Sequence, residues 1–320
     1  MRIMKMTATL STMVLLILTF LSACGQTKPL DNPQEKPQDV VFIEAANENS
    51  IILVQRFDGR LISYDTKTQQ VNKWMNRYKA FFIHSNNPEY NYHTAGDSYD
   101  YGFSIISVGE KQITVELQMQ SNEAIHTLAF SEEYLFFIKT LYQEPGVILD
   151  QYVVRYDPAA HNIIEYRNLR ELRHDGQRGS ISSGAIINDR LYYSIYNEDS
   201  DTYSIYEADC ADKETMPQIW QDNLEWGDVY SQGQDLYLSD KTSIFCGDKR
   251  FPRQAENYFI GDKYLLQYVN TFDARLLGAI IDTETGKTVI QTTNNIMGVK
   301  VIDNEIIMYC EGAIERFQYR

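Results

Sequence analysis

Apolar residues in this chain come in short strings, each led in by a polar turn. Glu48-Asn49 precedes Ile51-Ile52-Leu53-Val54, and Glu132-Glu133 precedes Tyr134-Leu135-Phe136-Phe137-Ile138. Asn188-Asp189-Arg190 precedes Leu191-Tyr192-Tyr193-Ser194-Ile195. Gly233-Gln234-Asp235, Gly261-Asp262-Lys263 and Asp303-Asn304-Glu305 precede the strings that open at Leu236, Tyr264 and Ile306. The strings are rich in Ile, Val, Tyr and Phe and are bounded by Asn, Asp, Gly or Ser. A helix needs a longer run with a 3.6-residue period, so these strings predict β-strands joined by tight hairpins.

A second series runs in phase with the first, an apolar string that ends in an acidic turn. Its members are Leu61-Ile62-Ser63-Tyr64-Asp65, Val153-Val154-Arg155-Tyr156-Asp157, Ile205-Tyr206-Glu207-Ala208-Asp209 and Gly278-Ala279-Ile280-Ile281-Asp282-Thr283-Glu284-Thr285-Gly286. Weaker members end at Gly109 and Gly247, and Ala313-Ile314-Glu315-Arg316-Phe317 closes the chain. An aspartate in such a turn accepts hydrogen bonds from backbone N–H groups just ahead of it, and Gly286 supplies a left-handed position. Turns near 65, 109, 157, 209, 247, 282 and 319 recur about every 42 residues, room for four short strands. That is one blade of a β-propeller, a fold that leaves few open sheet edges. The expected fold is therefore all-β, a propeller of seven blades, with six or eight as alternatives. The blades fall near 40–76, 78–120, 122–170, 178–222, 224–252, 255–294 and 296–320, the fifth short and the last incomplete. Residues 40–43 belong either to the first blade's inner strand or beside 313–319 as a closing strand.

The stretch 282–289, and 65–71 more loosely, resembles the aspartate turn of quinoprotein-like and related bacterial propeller repeats. The resemblance covers roughly 40–320 and concerns architecture alone. The family's tryptophan is matched only at Trp74 and Trp220, most repeats lack its glycines, and no quinone-binding residue carries over.

The N-terminus has a different pattern. Arg2 and Lys5 precede an apolar run over 13–21, followed by Leu21-Ser22-Ala23-Cys24. A charged start, a short apolar core and small residues before a cut make a signal peptide. The cysteine directly after them resembles the lipobox of bacterial lipoproteins. That resemblance implies removal of 1–23, diacylation of Cys24, and a palmitate-type anchor on the extracytoplasmic face of a bacterial cell membrane, or on an outer membrane. Two acyl chains hold a protein stably where one does not. Residues 24–39 carry three prolines, polar side chains and no aromatic, so they read as a flexible tether to a folded domain over 40–320.

Composition narrows the classes. The 320 residues are 43% hydrophobic, 12% aromatic and 23% charged, which excludes a disordered chain. Tyrosine, at 23, is abundant and favours half-buried pleated surfaces. The formal charge is −15, and without Arg2 and Lys5 it is −17, a field that repels nucleic acid. Cys210, Cys246 and Cys310 show no zinc spacing and read as buried thiols. No GxSxG, HExxH, P-loop or GxGxxG is present. The histidines His84, His93, His126, His161 and His174 lack ligand spacing and read as surface or hairpin residues. Residues 197–201, Asn-Glu-Asp-Ser-Asp, lack the glycine and distal glutamate of a calcium loop and read as a solvated hairpin tip. Neither metal nor cofactor is expected.

Two segments remain as candidate surfaces. Tyr90, Tyr92, Tyr99 and Tyr101 alternate with amides and acids, a pattern suited to sugar or peptide ligands. Arg167, Arg170, Arg173 and Arg178 form a basic island in an acidic chain, suited to an acidic partner or lipid headgroups. The expected function is a lipid-anchored extracytoplasmic module that binds or scaffolds an envelope protein, peptide or glycan without catalysis. The alternative is a carbohydrate-active hydrolase or lyase, with carboxylates from separate blades converging at the channel.

Overall fold

The computed structural model describes residues 40–319, apart from 47–49, 56–59, 66–69, 78–81, 85–88, 97–102, 109–112, 145–146, 170–178, 255, 269–277, 293–295, 303 and 311–312. Between 40 and 84 the description is of backbone strands. Among the described residues every regular element is a β-strand, and no helix is long and apolar enough to cross a membrane. The strands form antiparallel sheets, each assembled in chain order, over 40–77, 82–118, 123–168, 179–224, 229–252, 256–292 and 296–318.

Adjacent sheets meet through their first strands. Glu123–Phe130 lies beside Gly179–Ile187, which lies beside Val229–Gln232, and that strand lies beside Glu256–Ile260. Val40–Ala46 lies beside Ile296–Ile302, which brings the first and last sheets together. First strands are therefore innermost and later strands radiate outward, the arrangement of a β-propeller.

The blade count needs correction from seven. The described strands complete six four-stranded blades, and the last period forms a sheet of three strands. Those three strands have 7, 6 and 6 residues. The strand Val40–Ala46 pairs with Ser50–Gln55 in its own sheet, with Val40 opposite Gln55. It is therefore the first sheet's inner strand.

Antiparallel order gives the ring two faces. First and third strands begin on one, termed the start face here. They end on the other, the far face.

Packing between sheets supplies the core. Phe136, Tyr166 and Leu128 of the third sheet meet Leu191, Tyr193 and Ile195 of the fourth. Ile105 and Met119 of the second meet Ile125, Phe137 and Tyr156 of the third. Tyr237 and Phe251 of the fifth meet Phe259 and Leu265 of the sixth, with Tyr237 and Phe259 stacked at 4.4 Å. Each such side chain, fully buried, contributes about 1.5–3 kcal/mol. Hydrogen bonds cross the same seams. Gln151 accepts from Ile181 N–H at 2.9 Å. Gln232 donates to the Tyr264 carbonyl at 3.0 Å and accepts from Thr283 at 2.7 Å. Arg155 donates to the Cys210 carbonyl at 3.0 Å.

The acidic turns work as their sequence predicts. Asp157 Oδ1 accepts from the N–H groups of Ala159 and Ala160, and Asp209 Oδ1 from those of Ala211 and Asp212. Asp282 Oδ1 accepts from Glu284 at 3.0 Å and Thr285 at 2.8 Å, while Gly286 turns the chain with φ of 69°. In the other series Asn188 and Asp189 take φ of 48° and 58°, the hairpin geometry that matches strand twist.

The Thr285 N–H, with the Thr285 hydroxyl and the Glu284 N–H, holds the Asp282 carboxyl below its ordinary range. A carboxylate with a lowered folded-state pKa stabilises the fold above its unfolded pKa and loses that contribution as pH falls through the folded value. Asp282→Asn should therefore lower the thermal midpoint at pH 7. The deficit should shrink as pH falls below about 4. Thermal denaturation of both chains across pH 2–7 checks this, and a deficit that does not change with pH would contradict the turn's assigned charge role.

Candidate functional site

Cys24, Tyr99, Tyr101, Arg170, Arg173 and Arg178 lie outside the described residues. Arg167 pairs through its backbone with Val153 in the strand Asn162–Asn168. Tyr90 and Tyr92 are half-buried and packed against the third sheet. The Tyr90 ring meets Phe130 edge-on at 5.5 Å, and the Tyr92 ring meets Tyr156 at 6.0 Å. Burial, with Glu89 and Glu132 adding charge, pushes the Tyr90 hydroxyl up to about 12.

Residues 89–91 follow the first strand of their sheet and so lie on the far face. There they touch three other sheets. Tyr90 meets Phe130 of the third sheet, and Glu89 accepts from Gly261 N–H of the sixth at 3.1 Å. Lys300 of the seventh donates to the Tyr90 carbonyl at 3.0 Å and to the Asn91 side chain. Lys300 is only 4% exposed, so this strap buries its ammonium against polar oxygens. Burial raises the Glu89 carboxyl, against the opposing pull of Gly261 N–H and Lys300.

The remaining sequence candidates fall into place. Asp201, at φ of 53°, accepts from Tyr196 at 2.8 Å, and Glu198 and Asp199 are exposed at the same hairpin tip. Among the described residues no three His, Cys, Asp or Glu side chains are grouped to hold a metal ion. His161 is an exposed hairpin residue near Tyr156 and Glu116. His93 departs from expectation. It is 2% exposed, because its strand, Tyr92–Gly96, is buried almost throughout. Cys210 is a buried thiol pushed up to about 12 by that burial.

The most elaborate polar arrangement lies elsewhere, on the start face between the fourth, fifth and sixth sheets. Trp226-Gly227-Asp228 enters the inner strand Val229–Gln232, and Arg253 precedes the inner strand Glu256–Ile260. Two adjacent chain entrances thus bring residues 25 positions apart into contact. Asp228 Oδ2 accepts from Trp226 Nε1 at 3.0 Å and from Arg253 Nη2 at 2.5 Å. The guanidinium lies over the Trp226 ring at 4.7 Å. Tyr203, which opens the third strand of the fourth sheet, flanks Trp226 at 6.0 Å.

A second tier holds this pair. Asn257 donates to the Gln254 carbonyl at 2.7 Å and accepts from Gln267 at 2.8 Å, pinning the loop that carries Arg253. Burial chiefly pushes the Tyr230 hydroxyl up to about 12, with Asp228 adding to it and Arg253 and Asn257 opposing. Burial works against the charge of Arg253, but Asp228 and Tyr230 outweigh it and keep the guanidinium protonated. Asp228 and Arg253 retain 18% and 24% side-chain exposure, so the pair is reachable from solvent. Arg253 Nε is buried and has no acceptor among the described residues, while the Tyr230 hydroxyl hydrogen-bonds the same guanidinium. Gly227 permits the approach, since a Cβ there would stand 2.5 Å from Tyr203 Cβ.

No protein-family profile matches the sequence, and no curated protein matches it. Solved structures do resemble it in fold. One is the Kuenenia stuttgartiensis hydrazine synthase, at 10% identity and a TM-score of 0.50, covering 92% of this chain and 99% of that one. Another is a catalytically inactive virginiamycin B lyase from Staphylococcus aureus, at 10% identity and 0.51, covering 91% and 97%. The Pyrococcus horikoshii acylaminoacyl peptidase, at 11% identity and 0.53, covers 88% of this chain, which spans only 51% of that enzyme. Identities this low establish the propeller fold alone.

Two substitutions test the cluster's construction. Gly227→Ala forces a methyl group into Tyr203 and should cost about 1–3 kcal/mol. Asp228→Ala leaves the partly buried Arg253 and the Trp226 N–H without their shared acceptor, with an expected loss of about 2 kcal/mol. Urea denaturation of each variant reads both losses, and a stability unchanged in either would show that the corresponding contact does not hold the loop.

Proposed function

We propose that this protein is a lipid-anchored, extracytoplasmic β-propeller acting as a non-catalytic binding or scaffold module at the bacterial cell envelope. The start-face cluster of Trp226, Asp228 and Arg253 carries the binding part of this reading. It is charged and aromatic, held by a second tier of amides, and still open to solvent. Asp228 Oδ2 accepts two N–H donors of the chain itself, which fixes the carboxylate in position and favours a binding role over one in moving a proton. The far face carries the strap over 89–91, which ties the second sheet to the third, sixth and seventh. Ligand access is thereby assigned to the start face.

The anchor part rests on sequence. Arg2 and Lys5, the apolar run 13–21 and Leu21-Ser22-Ala23-Cys24 support export, cleavage before Cys24 and lipidation of its sulfur. The proline-bearing tether 24–39 would then hold the propeller off the bilayer.

Two experiments test the halves separately. Cys24→Ala should abolish incorporation of a labelled fatty acid and leave uncleaved precursor, and persistent labelling would refute the anchor. Crosslinked capture of the tagged full chain from its own membranes, read by mass spectrometry, should return a reproducible envelope component. Neutralising Arg167, Arg170, Arg173 and Arg178 should weaken the capture if the basic island is the docking surface.

A further inference from the structure

We propose that the chain joins Lys300 to Asn91 by an isopeptide bond of its own making, with Glu89 as the proton carrier. The bond fastens the strap over 89–91 covalently to the seventh sheet. It goes beyond the binding-module reading and does not rest on it.

The placement of three side chains carries the argument. Lys300 stands in the inner strand Ile296–Ile302 and is 4% exposed. Its Nζ donates to the Tyr90 carbonyl at 3.0 Å and also lies against the Asn91 carboxamide, in contact with Oδ1. The electrophilic carbon, Cγ, is one bond beyond that oxygen. Other lysines of the fold meet carboxylates: Lys139 approaches Glu123 at 3.5 Å and Lys249 approaches Asp235 at 3.1 Å. The strap offers Lys300 a carbonyl and a carboxamide instead. A buried ammonium against neutral oxygens is costly, and its conversion to an amide removes the charge. Glu89 stands two positions before Asn91 and is held by Gly261 N–H at 3.1 Å. Burial pushes its carboxyl up while the Lys300 ammonium opposes that rise, so the two groups share one electrostatic environment. A carboxyl in that setting can take a proton from Lys300 and pass it on. Holding the amine against the amide makes the reaction intramolecular, which compensates for a poor electrophile.

The step balances. Glu89 takes one proton from the Lys300 ammonium, and the Nζ lone pair attacks Cγ of Asn91. Glu89 delivers that proton to Nδ2, the Cγ–Nδ2 bond breaks, and ammonia leaves. Glu89 then takes a second proton from Nζ, and the third stays on the new Nζ–Cγ amide. No electron is gained or lost, so no oxidant or reductant enters. Asn91 is exposed, which gives ammonia a way out.

Peptide mass mapping of the purified full chain after trypsin reads the bond directly. The expected product is a branched peptide joining the Asn91 segment to the Lys300 segment. It should be lighter than their sum by one ammonia, less one water for the chain junction that trypsin no longer cuts after Lys300. Lys300→Arg keeps a cation at the strap and should abolish the branched peptide. Glu89→Gln, in a chain that still folds, should lose it as well. Recovery of the two segments from the unsubstituted chain as separate peptides of unshifted mass would overturn the bond, and that measurement needs no variant. Ammonia loss confined to a linear Asn91 peptide would also overturn it, since that marks a cyclised asparagine. A branched peptide formed equally in folded Glu89→Gln would overturn the role of Glu89.

Discussion

The sheets of this ring pack face to face through apolar side chains, and among the described residues no backbone ladder joins one sheet to the next. Everything else depends on that constraint. Phe136 of the third sheet finds its cover in Tyr193 and Leu191 of the fourth, and Ile260 of the sixth in Val299 and Ile306 of the seventh. No single blade could bury both of its faces alone, so stability is a property of neighbours in sequence. The seams must also carry whatever polar groups the chain leaves there. Gln151, Gln232 and Arg155 reach across them to backbone groups of the following blade. Each bond is satisfied only if the neighbour is in register, so the polar contacts specify the packing that the apolar ones drive.

The same geometry explains why the candidate site lies where it does. A chain returning from an outer strand must run inward over the start face before the next inner strand begins. Residues 225–228 and 253–254 make two such returns, side by side. Their side chains meet over a seam, where Gly227 lets the first return press against Tyr203 and Asn257 fastens the second. The far face is treated differently. There the segment 89–91 reaches from one blade to three others through Glu89, Tyr90 and Asn91. A ring strapped on one side and carrying a partly open ion pair on the other has two different faces.

Architecture was legible in the residues because its signals are local. Asp157, Asp209 and Asp282 each satisfy backbone N–H groups two and three positions ahead, so a reader of the sequence meets the whole interaction in one window. The expected blade limits agree with the sheets to within a few residues for the same reason. The number of complete blades was misjudged because a repeated turn marks a period, not the strands within it, and the last period holds three. His93 was misplaced because it stands in a five-residue strand, Tyr92–Gly96, that is buried almost throughout. The Trp226–Arg253 cluster left almost no trace. Its parts sit 27 positions apart and meet only through ring geometry, although Trp226-Gly227-Asp228 directly before a strand is a signal that could have been weighed.

Fold likeness cannot supply the missing chemistry, since a synthase, a peptidase and a lyase all share this architecture at about a tenth identity. What discriminates is the inventory of each start-face seam. Where the fourth, fifth and sixth sheets meet, a carboxylate and a guanidinium are locked to each other and to an indole N–H. Arginine at 253 does more than neutralise Asp228, since its planar guanidinium also covers the Trp226 ring and meets the Tyr230 hydroxyl, which a lysine ammonium would not do equally. The ion pair, the indole N–H and the stacked rings fasten two chain returns to each other while leaving the carboxylate and guanidinium partly open to solvent, so one contact set serves both packing and access.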